Sequence, residues 1–172
     1  MVLQQLQNRR WFTMPEIYAS VWSNDKATEM AKFYKSIFKG TKIGKTSYWG
    51  SNPMGVKEGS VLTMHITLLG QKIMLLNGFM KMPFNESISF VVPCKTQREI
   101  DNYWKKLTRG GGKPVQCGWL IDKFGVHWQI VPAQFDKWNT SKNKKKKEAV
   151  MHALWKMTKL DLKKLQAAFE NA

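Results

Sequence analysis

The chain has 172 residues, 43% of them hydrophobic and 23% charged, the composition of one globular domain or two small fused modules rather than of a disordered chain. No apolar run approaches the ~18–20 residues of a membrane span, and Arg9 and Arg10 are followed by no apolar stretch, so no secretory leader is read and the expected compartment is the cytoplasm. The formal charge of +16 is spread along the sequence, with 18 Lys/Arg against 8 Asp/Glu in residues 1–132 and 10 against 4 in residues 133–172; a field of that sign attracts polyanions but names no site.

Residues 17–22 form a short strand rich in β formers. Ser23-Asn24-Asp25 offers helix-capping side chains, and Ala27, Met30, Ala31, Tyr34, Ile37 and Phe38 recur at helical spacing up to Gly40. A strand over 41–49 and a loop over 50–59 follow. Ser60 to Leu69 alternates: Leu62, Met64, Ile66 and Leu68 make one face, Val61, Thr63, His65 and Thr67 the other. A strand over 72–76 ends at Asn77-Gly78. The order then recurs. Ser87–Val92 is a strand, and Thr96–Leu107 an amphipathic helix stopped by Gly110-Gly111-Gly112. Three short strands lie near 114–117, 119–122 and 126–131. Strand–helix–three strands thus appears twice, at about 65–70 residues per copy, which implies two similar packed modules. Ser141–Lys147 is expected to be a solvated lysine-rich hinge, and 148–171 one or two helices. The stripe Val150, Met151, Leu154 and Trp155 needs an apolar partner, either the chain's own body or a second chain. Cys94 and Cys117 are too few for a disulfide framework and read as reduced thiols in the core or at strand ends.

The duplicated βαβββ order resembles the vicinal oxygen chelate superfamily, the fold of glyoxalase I and bleomycin-resistance proteins. Local words are similar to its PhnB-like branch: Val21-Trp22, Phe33-Tyr34-Lys35-Ser36-Ile37-Phe38, Leu76-Asn77-Gly78, Phe84 to Phe90, Asp101-Asn102-Tyr103-Trp104, Cys117 to Gly125, Trp128 to Pro132, and Met157 to Asp161. Phe79 stands where the branch usually has a second glycine. The resemblance implies an α+β fold: an N-terminal extension over 1–14, a first module over 15–83, a second over 84–132, and a lysine-rich hinge with a helical tail over 133–172. The branch often carries a ubiquinone-methyltransferase label. A nucleotide-type cofactor would call for a glycine-rich turn between strand and helix, whereas Gly110-Gly111-Gly112 follows a helix.

Enzymes of the superfamily usually hold a divalent metal between His and Glu ligands on the first and last strand of each module. Here the matching strands offer Ile17 or Ala19, Asn77, Ser87 or Ser89, and Gln129 where a Glu is expected. Amides and hydroxyls alone hold transition metals poorly, so no metal and no cofactor are expected. A cleft remains. Period-two alternation puts His127 beside Gln129, with Val126, Trp128 and Ile130 toward the helix. The candidate ligand-binding residues are Thr63, His65, Thr67, Asn77, Ser87, Ser89, His127 and Gln129, with Tyr48, Trp49 and Phe79 closing the cleft. Glu86 is expected to open the fifth strand and pair with a surface lysine, and Trp22, Trp104, Trp119 and Trp128 to sit in the core. A Cys/His nucleophile pair would need spatial proximity.

The expected function is binding of a small organic ligand without a metal, by a homodimer. Two alternatives stay open: an enzyme using the same cleft, whether lyase, dioxygenase, transferase or resistance-type, and a polyanion binder. For the latter, Lys142, Lys144, Lys145, Lys146 and Lys147 are expected to bind nucleic acid weakly and without sequence preference, because no aromatic is interleaved among them. No membrane partner is expected.

Overall fold

A computed structural model describes residues 16–172, so the extension over 1–14, with Arg9 and Arg10, lies outside the described residues. The element order is β1 (Ala19–Trp22), α1 (Ala27–Ile37), β2 (Lys42–Tyr48), β3 (Val61–Leu68), β4 (Gln71–Leu76), β5 (Phe90–Cys94), α2 (Gln97–Thr108), β6 (Lys113–Pro114), β7 (Trp119–Ile121), β8 (His127–Pro132), α3 (Phe135–Asn139), α4 (Lys144–Trp155) and α5 (Leu162–Glu170). Two four-stranded sheets result, ordered β1-β4-β3-β2 and β5-β8-β7-β6. In each the first strand runs parallel to the last and the others pair antiparallel. This is the duplicated βαβββ architecture with a helical tail.

The faces sort as the alternation requires. Met64, Ile66 and Leu68 are buried toward α1, as are Val126, Trp128 and Ile130 in the second module. The two modules share one core. Phe38, just past α1, stacks on Tyr103 of α2 and on Trp128 of β8, each at 5.3 Å between ring centres. Tyr34 reaches across the same seam, and its hydroxyl donates to Asp122 at 2.8 Å.

Several local expectations are corrected. The fifth strand begins at Phe90, three residues later than its alternation suggests, because the Asn85 side chain accepts from the Ser87 amide at 3.0 Å and turns the chain there. Glu86 therefore sits in a turn, and it makes no ion pair among the described residues. Ser23, Asn24 and Asp25 do not cap α1. Asn77 does so from fifty residues away: its Oδ1 accepts from the Ala27 amide at 3.0 Å, and its Nδ2 donates to the Val61 carbonyl at 3.1 Å.

Lys144–Lys147 are the first turn of α4 rather than a hinge, with the Asn143 side chain accepting from the Lys146 amide. Val150 and Leu154 are buried against Val131, Trp138, Leu160 and Leu165, so the chain's own body covers that part of the stripe, while Trp155 stays 59% exposed. Of the four tryptophans expected in the core, Trp128 is buried; Trp22, Trp104 and Trp119 are half-buried, Trp22 and Trp119 because they lie on the sheet faces turned away from the helices.

Candidate functional site

Where β1 meets the entry to β8, a cavity of about 280 Å³ opens between the modules, lined by residues 19–22, 82–85, 88–90, 126 and 127. Its walls are mostly apolar: Val21, Trp22, Phe84, Ile88, Phe90 and Val126. The polar groups are few: Ser20, Asn85, Ser89 and His127. That is the composition of a site which orients a small organic molecule through one or two polar contacts.

The wall from the first module is held by a set of long-range hydrogen bonds. Trp22 ends β1 with its indole against Gly78, where an added Cβ would lie 1.9 Å from the ring, so only glycine fits. The indole Nε1 donates to the Met80 carbonyl at 2.8 Å. Asn24, at a positive φ of 48°, makes a reciprocal pair with Met82: its Nδ2 donates to the Met82 carbonyl and its Oδ1 accepts from the Met82 amide, both at 2.8 Å. The segment joining the modules is thereby fastened over β1 and carries Pro83, Phe84 and Asn85 to the cavity. Phe79 meets Trp22 edge-on at 6.5 Å.

The second module supplies the polar side. Gln129 Nε2 donates to Ser89 Oγ at 2.9 Å, which holds the Ser89 hydroxyl at the wall. His127 lines the cavity, and neither of its ring nitrogens has a hydrogen-bond partner among the described residues, which leaves both for a ligand. The same ring borders a second groove of about 530 Å³ with Glu86, Cys117, Trp119 and Ile121.

The structure thus brings together three of the eight sequence candidates: His127 and Ser89 at the cavity, and Gln129 behind Ser89. His65 lies on the open face of the first sheet, edge-on to Tyr18 at 5.5 Å, outside the cavity lining. Thr63 shares that face, with its hydroxyl 2.6 Å from Ser47 Oγ, and Thr67 lies opposite Lys42 and Lys72. Asn77 is buried, its amide occupied by the α1 cap, and it borders a separate cleft with Trp49 and Phe79. Ser87 is exposed in the turn before β5. Sequence reasoning missed Trp22, Asn24 and the 82–85 segment as wall-builders; the Pro and Asn residues between the modules were the available signal.

Chelation does not fit these residues. Among the described residues no three His, Cys, Asp or Glu side chains converge on a point, and both ends of the Asn77 amide are already hydrogen-bonded. Cys117 and His127 border the same groove, but Cys117 sits in the turn before β7 at a φ of +61°, and no hydrogen bond joins the two side chains among the described residues. Burial pushes the Cys94 thiol up to about 12, which leaves it protonated and unreactive at neutral pH.

A family model described as 3-demethylubiquinone-9 3-methyltransferase matches residues 15–131. Among solved structures, the PhnB protein of Bacillus cereus is 32% identical, with 69% of this chain and 100% of that one aligned at a TM-score of 0.62. Protein PA1353 of Pseudomonas aeruginosa is 14% identical over 69% of this chain and 97% of its own, at 0.58. A fosfomycin resistance protein, FosX, from Listeria monocytogenes, whose structure holds Mn(II), is 13% identical over 73% and 97%, at 0.50. The last two likenesses show the fold alone. No curated protein matches the chain.

Proposed function

From the premise that this chain belongs to the 3-demethylubiquinone-9 3-methyltransferase family, as a PhnB-like member with the vicinal oxygen chelate fold, we propose that it binds a small organic ligand in the cavity between its modules without the help of a metal ion. One observation carries the reading: a mostly apolar cavity of about 280 Å³ whose few polar groups include the His127 imidazole, without a hydrogen-bond partner among the described residues, and the Ser89 hydroxyl, held in place by Gln129. Such a site suits a compact, largely planar molecule with a hydrogen-bonding group at one end. Trp22, Phe84 and Phe90 would cover its body, while His127 and Ser89 would read its polar end.

The family takes its name from a methyl transfer, and FosX is a resistance protein whose structure holds manganese. The cavity supports neither chemistry by itself, since fold does not fix activity and the donor set lacks the ligands a divalent ion needs. Elemental analysis of the purified protein, paired with mass spectrometry of what it releases on denaturation, tests the proposal. The expected result is substoichiometric Zn, Ni, Mn and Fe. About one such ion per chain would overturn it.

A further inference from the structure

The four consecutive lysines do not form a single patch. An α-helix advances about 100° per residue, so Lys144–Lys147 point in four directions. Lys144 faces Glu148 at 3.8 Å, and Lys146 lies over the Phe169 ring at 5.3 Å. A different set aligns. Lys145, Ala149, His152 and Lys156 follow one another at spacings of four, three and four, which is one helix face. Lys164 of α5 meets that face across a cleft of about 450 Å³ lined by Ala149, His152, Ala153, Lys156, Met157 and Lys164. The cleft has no acidic lining residue. Beside it stands an aromatic pair, His152 and Trp155, with ring centres 5.5 Å apart and the indole 59% exposed.

An exposed lysine face alone would attract any polyanion. An indole that exposed, next to Lys156 at the mouth of a cleft with Lys164 on its other side, can stack a base while the lysines follow its phosphates; Glu148, on the same helix face, is paired with Lys144. We infer that the α4–α5 cleft binds single-stranded nucleic acid, with Trp155 as a stacking platform and Lys145, Lys156 and Lys164 on the phosphates. The site lies in the tail, outside the matched region at 15–131, and is independent of the cavity between the modules. It differs from weak contact by the lysine run, because here a base contributes as well as the backbone.

Fluorescence anisotropy with a labelled oligothymidylate about 15 nucleotides long tests this in the full chain, with heparin as a polyanion lacking bases. Three lysine–phosphate contacts should give a log–log salt slope of about −2. Trp155→Ala should weaken oligothymidylate binding by about 5-fold or more and change heparin binding by less than about 2-fold. Trp155→Phe should restore most of the loss, which separates stacking from damage to the fold. Lys156→Ser with Lys164→Ser should weaken both ligands. Equal oligothymidylate affinity in wild type and Trp155→Ala, an undetectable complex at about 50 mM salt, or tighter binding to phosphatidylserine vesicles than to oligothymidylate would each overturn the inference.

Discussion

Asp122 is a buried carboxylate with every oxygen occupied. It is 2% exposed and surrounded by donors. Its Oδ2 accepts from the Tyr34 hydroxyl at 2.8 Å and from Trp128 Nε1 at 2.9 Å; its Oδ1 accepts from the backbone amides of Phe124 and Val126. Burial raises its pKa above the usual 3.8, and these four hydrogen bonds pull against that rise. Asp122→Asn keeps the shape but puts an amide N–H where Trp128 also donates. Leaving a buried donor unmatched costs ~1–3 kcal/mol, and urea unfolding should show the variant less stable by about 3 kcal/mol. The raised value also sets a sign. Between 3.8 and the folded value the native state holds a proton that the unfolded state has released, so this residue's contribution is complete below 3.8 and declines as pH rises through the folded value. Subtracting the stability–pH curve of Asp122→Asn from that of wild type should reveal that decline. Cysteine reactivity is decided at the same scale: a maleimide should label half-buried Cys117 and spare Cys94 in the native protein.

At the scale of elements, the tail is bound by a few identifiable contacts. The Cys117 and Gly118 amides donate to the Met157 and Thr158 carbonyls at 2.8 Å. Gly118, at a φ of +83°, has Leu160 where a Cβ would reach within 2.9 Å, and Leu160 is fully buried. Gln97 of α2 clamps the same stretch, donating to the Leu160 carbonyl at 3.2 Å and accepting from the Leu162 amide at 2.8 Å. Gln97→Ala should therefore speed hydrogen exchange at the Leu162 amide by at least about 5-fold, with β3 and β4 unchanged. Lys159 holds Asp101 below its usual range. That contribution is complete above 3.8 and is lost as pH falls through the depressed value, opposite in sense to Asp122.

The elements differ in how legible they were in the sequence. β3 was plain, because one side of each residue pair faces a helix. The start of β5 was not, since Ser87-Ile88-Ser89 alternates like a strand and only the Asx turn, with Ile88 72% exposed, shows otherwise. The five residues of α3 are too few for a period, and four lysines give none, although Asn143 was a readable cap. The Asn77 cap joins residues far apart in sequence, so no local pattern encodes it.

For the whole molecule, the two-module plan was carried by the repeat, whereas the cavity depends on how the joining segment folds back. His127 falls on it at the start of β8, and Ser89 because the turn at Asn85 delivers it there just before β5, where Gln129 holds it. His65 does not, because it sits on the other sheet, turned to Tyr18. Ile17, Tyr18, Tyr48, Ile88 and Val91 are all exposed, apolar side chains of the kind that would be covered in the homodimer we propose. Light scattering should then give about twice the 20.0 kDa chain mass at micromolar concentration, and a monomer mass would count against it.

The choice between a metal-free binder and a chelating enzyme rests on the pair Ser89 and Gln129, which the structure places 2.9 Å apart. Ser89→His with Gln129→Glu would put beside His127 the second imidazole and the carboxylate these two positions lack, and should raise affinity for Zn²⁺ or Mn²⁺ by about 10-fold or more. The most direct measurement is a thermal-shift screen of small planar polar compounds against EDTA-treated protein, repeated on His127→Ala and Ser89→Ala. Binding should stabilise the wild type in EDTA, by an amount that grows with ligand concentration, and both variants should lose most of that shift. Stabilisation that appears only after Mn²⁺ or Zn²⁺ is restored, or that survives unchanged in both variants, would contradict metal-free binding in the cavity.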